Sequence, residues 1–253
     1  MPRIPLAIAA LLLALAGCAE GESQPVATAL AAAPATDPTD PYERLNRQIL
    51  DVNLALDDNV LRPVAVAYRD ALGPWPRTRI RNFLNNIEEP TVLVNNLLQG
   101  RLEDAGDIAV RFAVNTTLGG AGFWDVATDL TRTPRQQRDF GQTLYRWGIP
   151  DGPYLMVPIL GPSNPRDFVG TVANGFLNPI SWFLPIYANL GRGAVSGVDE
   201  REQNIEALDE LRRGSLDFYA RLRSVWGQYR DGQLGRTRAD SDNPDVLDDP
   251  GEK

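Results

Sequence analysis

The 253-residue chain has no histidine, a single cysteine at position 18 and a single lysine at its last position. Each scarcity removes a kind of chemistry. Ser-His-Asp, Cys-His and Ser-Lys arrangements cannot be assembled from these residues, and a zinc site has neither the His nor the Cys ligands it needs. No disulfide can close within the chain. Long apolar runs are missing too: Leu6 to Ala16 is eleven residues, against the roughly 20 that cross a bilayer. Net charge is −8 and the arginines are scattered, with no basic stripe interleaved with aromatics, which argues against nucleic acid as a partner. What remains for an enzyme is a carboxylate pair, Glu88-Glu89 or Asp139 with Asp167. Glu88 and Glu89 stand just before Pro90 and read better as first-turn charges facing a helix dipole. Gly119-Gly120-Ala121-Gly122 lacks the Lys-Ser/Thr ending of a phosphate loop. The reading is therefore of a protein that is not an enzyme and uses no cofactor or metal.

What is present begins with a secretory pattern. Arg3, the apolar run and Leu15-Ala16-Gly17-Cys18 form a signal peptide over residues 1–17 that ends in a lipobox, so Cys18 is the expected acylated N-terminus. Several acyl chains at about 0.8 kcal/mol per buried CH₂ make such an anchor effectively permanent. Residues 18–39 are rich in Ala, Pro and Thr and read as the lipidated end and a flexible tether with a reach of about 25 Å. A body of one domain follows over 40–232, then a tail over 233–253 whose last fourteen residues hold six acids and one Lys and are expected to be disordered.

The body reads as mostly helix, with no strand alternation and no internal repeat. Asp40-Pro41-Tyr42-Glu43 predicts a capping box, and Leu45, Ile49, Val52 and Leu56 form one apolar stripe behind it. Further helices are expected at about 63–72, 77–87, from Pro90 to Gly100, at 101–117, at about 165–178 with Ser163 or Asn164 as cap, and over 198–229 with a bend at Gly214-Ser215. Asn82, Asn85, Asn86, Asn95, Asn96 and Asn115 are dense for helical sequence. They read either as caps and buried hydrogen bonds or as a polar wall facing a solvated channel.

Two stretches stand apart. Phe140 to Asp167 is apolar yet broken by Gly141, Gly148, Gly152 and Gly161 and by five prolines, so it is expected to be buried or sunk in something other than water. Within it, Trp147, Gly148, Ile149, Gly152 and Tyr154 form a candidate gate: Gly148 and Gly152 as soft points around a strip stiffened by Pro150 and Pro153. The alternative is that these glycines only make tight turns in a static hairpin. Ile180 to Leu190 is apolar all round but broken by Pro185, and as a helix would rise about 16 Å, half a hydrocarbon core. Trp182, Phe183, Leu184, Ile186 and Tyr187 are therefore expected to enter one leaflet without crossing.

From Asp40 to about Gly232 the chain resembles the MlaA (VacJ) outer-membrane lipoproteins. The likeness is carried by Asp40-Pro41 with Glu43, Asn46-Arg47 and Asn53; by Leu61 to Ala65 with Tyr68; by Asn82-Phe83, Asn86 to Pro90, Asn95 and Leu98-Gln99-Gly100. It continues through Arg111-Phe112, Asn115-Thr116 and Gly119 to Asp125, then Phe140 to Leu144, Gly148, Gly152-Pro153-Tyr154, Pro158, Gly161-Pro162 and Arg166-Asp167. Leu45 and Leu50 depart from it, standing where the family usually has aromatics. The resemblance implies an all-α, ring-shaped body in the inner leaflet of the outer membrane, with an amphipathic central channel. Ala19, rather than Asp, after the cysteine looks like the signal by which bacterial lipoproteins are exported to the outer membrane. The implied partners are phospholipid taken from the outer leaflet, a trimeric porin, and a soluble periplasmic carrier that returns the lipid and so preserves lipid asymmetry. A structural lipoprotein that only scaffolds porins is the competing reading, and a wetted channel separates the two.

Overall fold

The computed structural model describes residues 40–236. Cys18, the tether and positions 237–253 lie outside the described residues. Helix α1 (Glu43–Leu56) runs through a π-helical segment, Asp57–Leu61, into α2 (Arg62–Ala71). There follow α3 (Pro74–Leu98), α4 (Leu102–Thr117), the short α5 (Val126–Thr131) and α6 (Phe140–Arg146). A hairpin of β1 (Leu155–Val157) and β2 (Gly161–Ser163) leads to α7 (Pro165–Leu177), α8 (Ile180–Phe183), α9 (Ile186–Gln203), α10 (Ile205–Arg213) and α11 (Phe218–Leu234). Helix dominates as expected, but the hairpin was not anticipated.

That hairpin survives with two short antiparallel strands because side chains stand in for a third. Asn46 and Asn53, two turns apart on α1, pair with its open edge. Asn46 Nδ2 donates to the Tyr154 carbonyl (3.0 Å) and its Oδ1 accepts from Met156 N–H (2.9 Å). Asn53 repeats the pattern on Val157 (3.0 Å) and Ile159 (2.8 Å). Each amide thus presents one donor and one acceptor, as a strand backbone would.

Three local expectations are corrected. The capping box does not form: Tyr42 is the N-cap without a side-chain bond, Glu43 accepts from Arg47, and Asp40 is wholly buried. Asp40 instead accepts from Asn46 (2.9 Å), Arg223 (3.1 Å) and the Tyr219 hydroxyl. A buried carboxylate is held better by these strong donors than by exposed helix amides. Second, Pro90 does not restart the chain; α3 is one helix of 25 residues with Pro90 inside it. Proline leaves the Asn86 carbonyl without its helical donor, and at the next residue Asn178 Nδ2 donates to the Ile87 carbonyl at 2.9 Å. Third, α11 carries the body past position 232, with Gly235 as a left-handed cap and Arg236 paired with Asp151 at 2.6 Å.

The apolar stripe of α1 faces outward at Leu45, Val52 and Leu56, and only Ile49 packs against the core. Leu45 and Val52 are 53% and 64% exposed, while Asn46 and Leu50 are buried. The apolar interior is small, a cluster of Leu50, Tyr154, Met156 and Tyr219 packed by Phe218, Leu222 and Trp226. Elsewhere buried positions are largely polar: Asn86, Glu89, Asn95, Asn96, Arg111, Asn115, Arg166, Asp199, Arg201 and Glu202. Where α6 crosses α7 the contact is backbone on backbone. A Cβ on Gly170 would come within 2.4 Å of Gly141 N, so only glycine permits the approach.

A polar cavity and an apolar belt as the candidate functional site

A cavity of about 400 Å³ opens among α3, α7, α9, the end of α11 and the strap of residues 132–139 that joins α5 to α6. Its volume lies within the range of about 300–1,000 Å³ that small-molecule sites occupy. Leu84, Val92, Gly175 and Gly193 give it apolar wall; Thr91, Gln137, Asn174, Asn178, Ser196 and Gln233 give it neutral polar wall. Charge comes from Glu88, Asp139, Arg135, Arg138 and Arg192. Both carboxylates are already taken: Glu88 by Arg135 at 2.6 Å and Asp139 by Arg230 at 2.7 Å. Arg138 and Arg192 have no carboxylate in ion-pair range among the described residues. Arg192 donates to Ser181 Oγ (3.0 Å), Arg138 to the Gln137 carbonyl (3.2 Å), and Arg138 Nε is buried without a partner. Burial, followed by the nearby charge of Arg101, lowers the Arg138 pKa from its ordinary value.

Asp139 and Asp167, the distant carboxylate pair named from the sequence, are brought together on one guanidinium. Arg230 donates to Asp139 (2.7 Å) and to Asp167 (2.7 Å). Burial would raise the Asp139 pKa, but the hydrogen bonds and charge of Arg230 outweigh it and hold the carboxyl below its usual range. A group so held stays ionised and serves as a structural counter-ion. Asn82, Asn85, Asn86 and Asn115 border a small pocket with Glu89, Arg111 and Asp125. Asn115 donates to Asp125 (3.0 Å), and Asn95 donates to the Thr91 carbonyl (3.0 Å) and to Asn174 (3.1 Å). For Asn95 and Asn115 this is the buried hydrogen-bonding role.

The loop after α6 does not line the cavity. Gly148 (φ 84°) closes α6 in a Schellman arrangement, its N–H on the Tyr145 carbonyl (2.8 Å) and that of Ile149 on Leu144 (3.0 Å). Gly152 (φ 74°) turns the chain beside Asp151, whose carboxylate is clamped by Arg166 and Arg236. Tyr154 is buried edge-on to Tyr219 and Trp226. Trp147 and Ile149 are exposed, with Trp147 Nε1 donating to the Leu98 carbonyl at 3.2 Å. The five residues thus divide into a surface pair, two turn glycines and a core anchor.

Trp182, Phe183, Ile186 and Tyr187 are all exposed, Phe183 at 87%, with Leu184 half-buried. Phe176 and Leu190 extend this apolar belt along α7 and α9. Part of its polarity is answered internally. Trp182 Nε1 donates to the Phe176 carbonyl (2.8 Å), and Asn189 donates to the Ser181 (3.0 Å) and Leu184 (3.2 Å) carbonyls beside the break at Pro185, while Asn189 Oδ1 is buried without a partner. Carbonyls answered from within the fold need no water. None of the described helices is long and apolar enough to cross a membrane.

Polar inside and apolar outside, with its polar cavity, this body has the organisation of a helical protein made for contact with lipid. It belongs to the MlaA lipoprotein family, whose model matches residues 38–233. The chain is 38% identical over 198 residues to the intermembrane phospholipid transport system lipoprotein MlaA of Escherichia coli, covering 76% of this chain and 77% of that one. It is 29% identical over 221 residues to the protein of the same name in Haemophilus influenzae, covering 85% and 84%. An uncharacterised Rickettsia felis protein is 34% identical, covering 77% and 78%. A solved structure from work on maintenance of bacterial outer membrane lipid asymmetry superposes with a TM-score of 0.70 at 36% identity, covering 77% of this chain and 98% of its own.

The cavity arginines went unread in the sequence. For Arg135 and Arg138 the signal was the run Arg135-Gln136-Gln137-Arg138-Asp139, polar throughout and unassigned to any helix; Arg192, on α9, had none.

Proposed function

We propose that this chain is an outer-membrane lipoprotein that removes mislocalised phospholipid from the outer leaflet and hands it on for return to the inner membrane, maintaining lipid asymmetry. The observation that carries this is the inverted body: an exposed apolar belt along α7 to α9 and a polar cavity bounded by two of the same helices. The belt supports seating in one leaflet, and the cavity supports a polar path for head groups. On this reading Cys18 carries the acyl anchor, a trimeric porin holds the body, and a soluble periplasmic carrier receives the lipid. Trp147 and Ile149, on either side of the Gly148 cap and ahead of the Asp151 clamp, are the loop residues free to touch lipid, while Tyr154 anchors the strip.

The test is phospholipid co-purifying with the acylated, porin-bound protein, and its loss when the cavity is plugged by a thiol reagent on an engineered Ser196→Cys. Lipid and transport that persist with the cavity plugged would show that the cavity is not the path, and a porin-bound protein that never carries lipid would be the scaffold. Crosslinking the 147–152 strip to a neighbouring helix through engineered cysteines checks the gate: transport should stop on oxidation and return on reduction.

A further inference from the structure

A transported phospholipid offers a protein one constant polar feature, a phosphodiester with a single negative charge, whatever its chains. The cavity carries more positive than negative charge once internal pairs are subtracted. Arg135 is spent on Glu88, and Asp139 on Arg230. Arg138 and Arg192 remain, from two different elements, both lining the cavity and both lacking a carboxylate among the described residues. Such residues are costly to keep in a half-buried wall unless something else completes their hydrogen bonding. The planar fork of arginine matches phosphate oxygens two at a time. Leu84 and Val92 on the same wall suit the apolar part of the molecule that carries the phosphate.

We propose that Arg138, with Arg192, forms a phosphodiester-binding site in the cavity that holds the head group of a glycerophospholipid in passage. This rests on the reading of the chain as a phospholipid transporter. The two residues are specificity determinants: they admit lipids that carry a phosphate and give no advantage to neutral ones.

The experiment uses full-length acylated protein in vesicles doped with photoactivatable phosphatidylglycerol or with a matched diacylglycerol that has no phosphate. Crosslinking yield and transfer to acceptor vesicles are measured for wild type, Arg138→Gln, Arg138→Lys, Arg192→Gln and the exposed control Arg44→Gln. Losing a charge-assisted bidentate contact should cut phosphatidylglycerol crosslinking roughly 10- to 100-fold in Arg138→Gln. Arg138→Lys should keep part of it, Arg44→Gln all of it, and the diacylglycerol yield should not change. Wild-type crosslinking in both Gln variants overturns the site, as does an equal fall for diacylglycerol, which would mark a collapsed cavity. Inorganic phosphate that needs Arg138 to bind but never competes with phosphatidylglycerol also overturns it, in favour of free phosphate as the ligand. A wild type that crosslinks phospholipid but transfers none defeats the transport reading and leaves the site standing. One that transfers lipid indifferently to Arg138 defeats the site alone.

Discussion

The two ends of helix α9 are built for different surroundings. At its start, Ile186, Tyr187 and Leu190 are exposed and apolar, with no acid or base before Arg192. At its end, Asp199, Arg201 and Glu202 are buried and ion-paired. Glu202 accepts from Arg69 (3.0 Å), Arg81 (3.2 Å) and Arg77; Asp199 accepts from Arg81 (2.9 Å); Arg201 donates to Asp57 (2.7 Å). Eighteen residues at about 1.5 Å each separate these ends by roughly 27 Å. The exposed end saves nothing by facing water, whereas the buried end is held by partners on α2, α3 and the π-helical segment. On the proposed function, this change of rule along a single helix is where an apolar medium gives way to protein and water.

The harshest way to break the comparison is to remove Cys18, the residue proposed to carry the acyl anchor, and ask whether the belt holds alone. Cys18→Ala should leave an uncleaved precursor absent from the outer membrane, because cleavage and acylation both need the thiol; normal fractionation would sink the lipobox reading. At the polar end of α9, Glu202→Ala strands Arg77 and takes one of two carboxylates from Arg69 and Arg81, which keep Glu206 and Asp199, and should cost about 3–5 kcal/mol, read as a lower urea midpoint in micelles. Restoring part of that loss with a second change, Arg77→Ala, would confirm that the penalty is unpaired charge. At the apolar end, Phe183→Asp should leave the fold intact but weaken membrane seating by up to about 2.5–3.5 kcal/mol, less if the site lies near the interface. Quenching by lipid-borne probes measures it, and water at a label on Phe183 in the unaltered protein would refute the placement.

Periodicity in the sequence reveals that a helix has an apolar face but not what that face meets. Leu45, Ile49, Val52 and Leu56 do recur on one side of α1, yet Leu45 and Val52 point outward and Asn46 inward. The stripe was legible and its direction was not, because both depend on whether the surroundings are water or lipid. Helix breaks were misread for a different reason. Pro90 and the hairpin are both stabilised by asparagine side chains distant in sequence, Asn178 in one case, Asn46 and Asn53 in the other. The Pro185 break and the Asn164 cap were legible because they are local. Arg138 could not be singled out, since its distinction is the partner it lacks in three dimensions.

The smallest effect compares two ion-paired carboxylates, one half-buried and one buried, whose pH responses have opposite sign. Asp139 is held low by Arg230, so its contribution is present above the ordinary value of about 3.9 and is lost as pH falls through its lower folded value. Glu89 goes the other way: burial raises its pKa against the pull of Arg111. Its contact to Arg111 is long, 3.5 Å, and its Oε2 has no partner, while Arg111 is also met by Asp125, Thr128 and the Thr133 carbonyl. A group with a raised folded pKa contributes stability below its unfolded value of about 4.3 and loses it as pH rises through the folded one. Glu89→Gln cannot ionise and so escapes that loss. It should lie within about 1 kcal/mol of wild type at pH 7 and gain on it between about pH 4 and 7, in paired denaturation curves. Asp139→Asn should match wild type best in strong acid, lose ground as pH rises towards about 3.9, and hold a constant deficit above it. A Glu89→Gln cost above about 3 kcal/mol at pH 7, the penalty of breaking a well-made buried pair, would show that Arg111 depends on this carboxylate after all.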